Sequence, residues 1–453
     1  MYEKNFAPDA LVQAIFFTNE AEYVIPKLEY SIQLTSSPEK LQTLVKALII
    51  QENNEANLKE VDFEFLINGK IFNNSIEEYL KLNNLTTENV LEIEYIKKLP
   101  SPNPRTLHKH NDWVSSLDII NIDKSNSKIT TYILTGCYDN TLNIWSQDGN
   151  KSKTPIFSKL IHDGPVKDIK FVCTQSPHFK NFAFLTASHD QTVKYWKIEK
   201  RINKKELTEI HDGTNWVLQC ITINRGHLGG VECVSIQPLE KGANPNALFC
   251  SGSWDKMVKI WRFEPDMNAK DLKTNQAITK KNKRINIPIL TIAHHDEVVS
   301  TIQWIQENEI CSASWDCTIK IWDVEAQKTK TTLVGQKSFL NISYSPLSQL
   351  IISGSTDSHV RLWDPRTDVG TIVKCAFSSH KGWVSCVKWS PNNINQFTSG
   401  SYDSIVKIWD VRSVKTPLFN LYGQKEKILC NAWTQDNLIV NGGSDNTLQI
   451  FQI

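Results

Sequence analysis

Residues 110–453 repeat one pattern of apolar and polar positions. A turn of small residues ends in Asp, and apolar and polar residues then alternate, as in Thr192–Trp196 (TVKYW) and Thr318–Trp322 (TIKIW). Alternation with a period of two predicts a strand with one buried face. Small residues and Asp in front of such a segment predict a tight turn. Each repeat therefore contributes at least one turn that leads into a half-buried strand.

An Asp is followed six residues later by an aromatic residue in seven places. The pairs are Asp139/Trp145, Asp190/Trp196, Asp255/Trp261, Asp316/Trp322, Asp357/Trp363, Asp403/Trp409 and Asp445/Phe451. Successive Asp residues are 51, 65, 61, 41, 46 and 42 positions apart. The signature and spacing resemble the WD repeat, with a period of about 40–45 residues. We therefore predict a mostly β protein with a seven-bladed WD-repeat β-propeller.

Most repeats also begin with a histidine in a loop. These residues are His110, His162, His227, His295 and His380, while the fifth and seventh repeats carry Gln336 and Gln424. In WD-repeat proteins this histidine bonds the turn Asp, which also meets a strand Ser or Thr and the Trp indole. A buried polar network is stable only when its members are satisfied. The resemblance thus implies structural roles for these His and Asp residues, and neither catalysis nor metal binding.

The segment Arg105–His108 precedes the first repeat, and the last repeat ends without an outer strand of its own. We expect this segment to close the ring by supplying that strand. Two longer connections, residues 197–226 and 264–292, are rich in Lys and are expected to be surface excursions. The cluster Lys280–Arg284 (KKNKR) is a candidate nuclear localisation signal.

The first hundred residues lack the Asp/aromatic repeat and predict the order β-β-α-β-β-α-β. The evidence is two apolar segments, a helix opened by Pro38, a strand before the hairpin signal Asn68-Gly69, a helix capped by Ser75, and a last strand over Val90–Ile96. This order resembles a ubiquitin-like β-grasp domain. Its end lacks a Gly-Gly tail, so we expect a docking module. The predicted domains are 9–98, a linker over 99–104, and the propeller over 105–453.

Charge divides the chain in two. Residues 1–100 hold 16 acids and 9 bases, whereas the other residues hold 33 acids and 41 bases. An acidic head on a basic body suggests two different partners, and basic loops favour proximity to nucleic acid. No long apolar run predicts a membrane span, and no secretory signal is recognised. The ten cysteines include no C-x-x-C pair and are expected to be small buried residues in a reducing compartment.

A ubiquitin-like head on WD repeats resembles the NLE-type ribosome-assembly factors, and seven repeats resemble the Ytm branch. The stretches that carry the resemblance are Phe65–Gly69, Ser75–Leu80, Leu85–Tyr95 and Asp112–Asp118. It implies a non-enzymatic factor needed for pre-rRNA processing and maturation of the 60S subunit, located in the nucleus, nucleolus and nucleoplasm. The implied partners are Bop-type and pescadillo-type factors of the PeBoW complex, the pre-60S particle, and the AAA ATPase midasin. No small-molecule substrate is expected.

The resemblance gives Glu88 a specific role. In the family, a Glu on a loop of this domain completes the coordination of Mg²⁺ in the MIDAS site of midasin, and the matching residue is Glu88. Mg²⁺ prefers an octahedron of hard oxygen ligands, so a carboxylate supplied in trans fits an open position. The chain is expected to need no cofactor of its own. Weaker candidates beside Glu88 are Asn68, Thr87 and Asn89.

Two alternatives remain open for the repeats. The motifs Trp363–Arg366 and Trp409–Arg412 (W-D-x-R) resemble those of substrate receptors for cullin ubiquitin ligases, where Arg can pair with an adaptor carboxylate. The basic loops can also bind RNA directly. Loop aromatics at equivalent positions are either a partner surface or rim packing: Trp113, Tyr138, Trp254, Trp315, Trp383 and Tyr402. No nucleotide-binding, metalloprotease or hydrolase motif is recognised.

Overall fold

The computed structural model describes residues 10–52, 58, 61–124, 128–147, 154–172, 181–200, 216–238, 247–263, 284–293, 295–366 and 373–453. The chain divides into two compact units. The first contains residues 1–101 with 409–418 and 453, and the second contains residues 102–408 with 419–452. Among the described helices, none is long and apolar enough to cross a membrane.

The first unit has the predicted order of elements around one sheet. The elements are β1 (Leu11–Phe17), a 3₁₀ turn (Ala21–Tyr23), β2 (Glu29–Gln33), α1 (Pro38–Glu52), β3 (Phe63–Ile67), β4 (Lys70–Ile71), α2 (Ile76–Leu82) and β5 (Leu91–Lys97). The sheet order is β2-β1-β5-β3-β4, with β1 and β5 parallel and the other pairs antiparallel. This sheet order brings the two ends of the domain together at its centre.

Helix α1 packs on this sheet through a single apolar stripe. Leu41, Val45 and Ile49 recur at a spacing of four and are all buried, together with Phe16 and Phe65 of the sheet. That spacing places them on one face of the helix. The α2 helix begins after Ser75, whose hydroxyl accepts a hydrogen bond from the Glu78 amide at 3.3 Å. Packing and the cap together position the loop that follows α2.

The second unit consists of seven antiparallel sheets. It begins with β6 (Asn103–Lys109). The strands of sheets one to three are β7 (Val114–Lys124), β8 (Lys128–Cys137), β9 (Thr141–Ser146) and β10 (Phe157–Leu160); β11 (Val166–Val172), β12 (Asn181–Ser188), β13 (Thr192–Lys200) and β14 (Trp216–Arg225); β15 (Val231–Ile236), β16 (Leu248–Ser253), β17 (Met257–Arg262) and β19 (Leu290–Ala293). A short strand, β18 (Arg284–Asn286), adds to β14 in parallel.

Sheets four to seven repeat the same meander. Their strands are β20 (Val299–Gln306), β21 (Glu309–Ser314), β22 (Thr318–Asp323) and β23 (Lys328–Val334); β24 (Phe339–Tyr344), β25 (Ile351–Ser355), β26 (His359–Trp363) and β27 (Val373–Ser378); β28 (Val384–Trp389), β29 (Gln396–Ser401), β30 (Val406–Asp410) and β31 (Phe419–Leu421); β32 (Ile428–Trp433), β33 (Leu438–Gly443) and β34 (Thr447–Gln452). The fourth strand of sheet seven is β6, which pairs with β34.

The first strands of the seven sheets contact one another in a cycle. Each packs against the first strand of the next sheet, and β32 of sheet seven packs against β7 of sheet one. Close approach requires glycine at the junctions. A Cβ on Gly136 would lie 2.6 Å from a methyl of Val166, and one on Gly442 would lie 2.6 Å from a methyl of Val114. This cyclic packing is the arrangement expected of a β-propeller.

Parts of the two long connections are strands, which corrects the expectation of surface excursions. The region 197–226 contains β14, and 264–292 contains β18 and most of β19. Trp216 is buried, with its ring 5.5 Å from that of Phe182. The strand β14 was not predicted, because the Lys-rich residues before it obscure the alternation of apolar and polar residues. Residues 201–215 and 264–283 lie outside the described part, and so does the Lys280–Arg284 cluster apart from Arg284.

Candidate functional site

The turn Asp stabilises an unfavourable backbone conformation in every repeat. The residue after each Asp has a positive φ, between 59° and 70°. Only glycine adopts this region without steric cost. In each turn, Oδ1 of the Asp accepts a hydrogen bond from the amide two residues later, at 2.9–3.3 Å. An Asp at this position therefore holds the turn through its side chain, which explains its fixed spacing.

In sheet two, a hydrogen-bond network joins this turn to the sheet. His162 Nδ1 lies 2.7 Å from Asp190 Oδ2, and His162 Nε2 lies 2.7 Å from Thr186 Oγ1. The Trp196 indole donates to the same Thr186 oxygen at 2.9 Å. Burial lowers the pKa of His162, which favours a neutral imidazole that donates from Nδ1 and accepts at Nε2.

Three further sheets contain the same His–Asp contact. The distances from Nδ1 to Oδ2 are 2.8 Å for His227/Asp255, 2.8 Å for His295/Asp316 and 2.9 Å for His380/Asp403. Burial raises the pKa of Asp403, but the hydrogen bond and charge of His380 with the hydrogen bonds from the Lys381 and Ile405 amides together outweigh burial, and the pKa is about 2. Both nitrogens of these histidines are bonded, so the arrangement holds the turn and leaves no free base for catalysis.

Sheet five uses an arginine where the sequence predicted Gln336. Gln336 is exposed and makes no hydrogen bond to Asp357. Arg361 instead donates from Nη1 to Asp357 Oδ1 at 3.0 Å and to the Ser355 hydroxyl at 2.9 Å. Burial raises the pKa of Asp357, but the hydrogen bond and charge of Arg361 with the hydrogen bonds from the Ser355 hydroxyl and the His359 amide together outweigh burial and hold the pKa at about 2. The signal that the sequence analysis missed is an Arg four residues after the turn Asp. Because side chains alternate along a strand, this even spacing places the Arg on the same side of the sheet as the Asp.

Sheets one and seven have incomplete networks. His110 Nε2 lies 2.9 Å from Thr135 Oγ1, but Nδ1 has no partner among the described residues and makes no bond to Asp139. In sheet seven, Gln424 is buried and donates to the Asn441 carbonyl at 3.2 Å. Gln424 Oε1 and Asn441 Oδ1 have no donor within the described structure, and Phe451 has no indole N–H. These two sheets meet where the cycle closes.

Glu88 lies on the loop between α2 and β5. Its side chain is exposed and makes no hydrogen bond or ion pair with any described residue. Asn89 holds the loop, because its Oδ1 accepts hydrogen bonds from the Thr86 amide at 3.2 Å and the Thr86 hydroxyl at 2.9 Å. Asn68 donates to the Tyr79 hydroxyl at 3.1 Å and is thus already bonded. The loop presents Glu88 on an ordered turn with its carboxylate uncommitted.

The described residues form no group of three His, Cys, Asp or Glu side chains that could hold a metal ion. The nine cysteines in the described structure are free thiols, and burial raises the pKa of Cys386 to about 12. A thiol of such high pKa is a poor nucleophile at neutral pH.

Six loop aromatics lie at the end of the sheets where the turn Asp residues are, and we call them the aromatic surface. They are Trp113, Tyr138, Trp254, Trp315, Trp383 and Tyr402. Three of them are well exposed: Trp113 at 42%, Trp254 at 41% and Trp383 at 50%. Their rings form pairs, with centroids 5.2–5.6 Å apart in Trp113/Tyr138, Trp254/Trp315 and Trp383/Tyr402.

An ion pair links these aromatics across neighbouring sheets. Lys167 Nζ lies 2.8 Å from the Tyr138 hydroxyl and 3.1 Å from a Glu232 carboxylate oxygen. The Trp254 indole donates to Glu232 at 2.9 Å. This connected row across sheets one to four was not predicted from the sequence. It holds large side chains in fixed positions while leaving much of their surface open, as interface anchors require.

The arginines of both W-D-x-R motifs bond the Asp of their own motif. Arg366 donates to Asp364 at 2.9 and 2.8 Å, and Arg412 donates to Asp410 at 2.8 Å through both Nε and Nη2. The Arg366 side chain is 57% exposed and that of Arg412 is 10% exposed. Of the two, only Arg366 presents an accessible guanidinium to a partner.

Comparison with known proteins supports this division of the chain. A model of the NLE (NUC135) domain matches residues 12–80. A model of the WD domain, G-beta repeat, matches residues 102–146, 218–262, 286–323, 327–364 and 371–410. The turn residues Asp190 and Asp445 lie outside these matches, although the structure gives both the same turn.

Relatives align over nearly the whole chain. "Ribosome biogenesis protein WDR12 homolog" of Ixodes scapularis is 38% identical, covering 98% of this chain and 99% of the relative. Proteins of the same name from Aedes aegypti and Nematostella vectensis are 36% and 35% identical, covering 97% of this chain and 95% and 99% of the relatives. The chain therefore belongs to the WDR12 (Ytm) family of ribosome biogenesis proteins, which combine an NLE domain with WD repeats.

Proposed function

We propose that this protein is a non-enzymatic assembly factor for the large ribosomal subunit, whose first unit docks on midasin through Glu88. It acts in the nucleus and nucleolus, with a ubiquitin-like first unit and a closed seven-bladed propeller as the second. The observation that carries the docking proposal is the exposed, uncommitted Glu88 carboxylate on a turn held by Asn89. Glu88 lies beyond the range matched to the NLE domain, so its role rests on the family resemblance of Leu85–Tyr95.

The chemistry of the site fits this role. Mg²⁺ takes six oxygen ligands in near-ideal octahedral geometry and is usually bound by one or two carboxylates with several waters. A partner that holds Mg²⁺ with an open position can accept one carboxylate oxygen from Glu88. In this proposal the contribution of the chain is one carboxylate ligand, from Glu88. Force applied by the ATPase then passes from the first unit to the second through residues 98–102.

The docking experiment uses the full chain and the MIDAS domain of midasin, in Mg²⁺ or in EDTA. Wild type should bind only in Mg²⁺, and Glu88→Gln should lose binding because an amide is a weaker ligand than a carboxylate. Glu92→Gln is the matched control, since Glu92 is an exposed carboxylate on the adjacent strand β5. Binding that is indifferent to both the metal and Glu88 would refute the bridge and leave the WD repeats to be explained separately.

The second unit is proposed to bind a Bop-type partner through the aromatic surface. Exposed Trp and Tyr residues in fixed positions are typical binding hot spots. Trp383→Ala removes a half-exposed indole that stacks on Tyr402, and should weaken the complex by about 2 kcal/mol or more. Tyr422→Ala is the control, because Tyr422 is 66% exposed and lies outside the aromatic surface. Equal affinities for the two variants would contradict this assignment of the partner site.

The same preparations distinguish the alternative function. If the chain is a receptor for a cullin ligase, it should co-purify with a cullin adaptor, and Arg366→Ala should release that adaptor. If it is an assembly factor, it should co-purify with pre-60S proteins, and Arg366→Ala should have no effect. The Arg366 side chain is the accessible one of the two W-D-x-R arginines, which makes it the informative substitution.

A further inference from the structure

The strand β6 completes sheet seven, although it stands at the beginning of the second unit's sequence and the rest of that sheet stands at its end. It precedes every other strand of the second unit, yet it pairs antiparallel with β34, the last strand of the chain. It is the outer strand of the sheet, with β34 as its neighbour. The backbone of residues 1–101 continues directly into β6, so tension carried along the backbone reaches this strand at Asn103.

The side chains of β6 anchor it weakly. In each sheet, one residue of the fourth strand pairs with the third residue after the turn Asp. In sheets three to six this fourth-strand residue is apolar and buried: Ile292, Leu333, Phe377 and Leu421. In sheet seven this residue is His108, which pairs with Leu448. His108 is the sole buried residue of β6, and its Nδ1 has no partner in the described structure.

Sheets one and two also lack an apolar residue at this position, but they compensate. In sheet two, Asn224 donates a hydrogen bond to the Val193 carbonyl at 2.8 Å. In sheet one the residue is Lys159, and the outer strand is anchored instead by the buried Phe157. In β6, the compensating contact of His108 is the Trp145 ring, with centroids 4.4 Å apart. Of the fourth strands of the seven sheets, β6 therefore has the least apolar anchoring.

One feature weakens the pairing of β6 with β34 further. Pro104 lies opposite Phe451 and has no N–H to donate. Pro104 lies at the Asn103 end of the strand, next to residues 1–101. Behind β34, the buried oxygens of Gln424 and Asn441 lack donors, so the sheet that β6 joins is itself poorly satisfied.

We propose that β6 is a detachable strap. Among the fourth strands of the seven sheets it separates most readily from its neighbour, and its separation begins at Asn103. Tension on residues 1–101 then removes the fourth strand of sheet seven and leaves the other six sheets folded. This inference depends on the strand and its contacts, and it holds whichever partner the first unit binds.

Native-state hydrogen exchange on the full chain tests the strap. Amides of β6 and β34 should exchange about 10- to 100-fold faster, after correction for intrinsic rates, than those of β22 and β23 in sheet four. The His108→Leu variant restores the apolar residue found at Leu333 and should slow the exchange of β6 by a similar factor. Exchange of wild-type β6 no faster than that of β23 would overturn the proposal, as would a failure of His108→Leu to slow it.

A reversible cross-link provides a second measurement. Leu107 pairs with Gln449, and the equivalent pair in sheet four is Thr332 with Lys320. Gln449 and Lys320 are equivalent because each lies on the third strand of its sheet, four residues after the turn Asp. Oxidised Leu107→Cys/Gln449→Cys should protect β6 and β34 at least tenfold relative to the same protein in reductant. Oxidised Lys320→Cys/Thr332→Cys should leave the exchange of β6 unchanged. Protection of β6 by both cross-links would indicate a global opening and would refute a local strap.

Discussion

Replacing Arg361 by Met tests how sheet five neutralises its turn Asp. Arg361 and Asp357 have side-chain exposures of 11% and 18%, so the pair is largely shielded from water. The pKa of Asp357 is about 2 against an ordinary value of 3.8. The difference corresponds to about 2 kcal/mol. The loss of a partner also leaves a partly buried carboxylate, so we expect Arg361→Met to destabilise sheet five by about 2–3 kcal/mol.

The measurement should be local, because a chain with two units is not expected to unfold in one step. Amides of β25 and β26 should exchange about 30- to 150-fold faster in Arg361→Met than in wild type at neutral pH. The control is Lys320→Met, the equivalent position in sheet four, where His295 already bonds Asp316. We expect that variant to change the exchange of sheet four much less.

The pH dependence follows from the lowered pKa of Asp357. A carboxyl group whose folded pKa is depressed stabilises the fold above its unfolded pKa, and the contribution is lost as the pH falls towards the folded pKa. The difference between wild type and Arg361→Met should therefore be constant above about pH 5 and shrink between pH 4 and 2. The double variant Asp357→Asn/Arg361→Met removes the stranded charge and should recover part of the loss. A double variant as unstable as Arg361→Met would refute the electrostatic explanation.

Two further predictions concern the junction between sheets seven and one. Burial lowers the pKa of His110 to about 4, so below about pH 6.5 the unfolded state takes up a proton that the folded state does not. The exchange of β7 and β8 should accelerate between pH 6.5 and 4 relative to that of β25 and β26, and an equal acceleration in His110→Gln would count against this cause. Gly442→Ala places a Cβ 2.6 Å from a Val114 methyl and should destabilise the junction by about 1–3 kcal/mol. A thermal denaturation midpoint unchanged from wild type would show that the junction accommodates the added methyl group without loss of stability.

The repeat itself was predictable because its signals are local. The turn Asp acts on an amide two residues away, and the alternation that follows it depends on neighbours in the same strand. The same holds in the first unit, where Pro38, Ser75 and the Asn68-Gly69 turn mark element ends through their own backbone preferences. Such local signals can be recognised without knowledge of the surrounding fold. The strand β14 was missed because charged neighbours obscured its pattern and its burial depends on Phe182, which is remote in sequence.

The candidate site also combines features that the sequence analysis identified with features that it missed. Glu88 was singled out by resemblance, and the structure adds that its carboxylate is exposed and uncommitted on a held turn. The aromatic residues were identifiable one by one, but their connection through Lys167 and Glu232 joins side chains from different sheets. No spacing rule along the chain contains that information.

Seven turn–strand units, the order of elements in the first unit and the family could be recognised along the chain, because each depends on short-range pattern or on similarity of sequence. The side chain that bonds each turn Asp could be identified only from the folded structure. Gln336 stands where a histidine was expected, yet Arg361, four residues after Asp357, bonds the carboxylate. Closure of the ring by Arg105–His108 was predicted from the sequence, and the structure adds that His108 is the one buried side chain of β6.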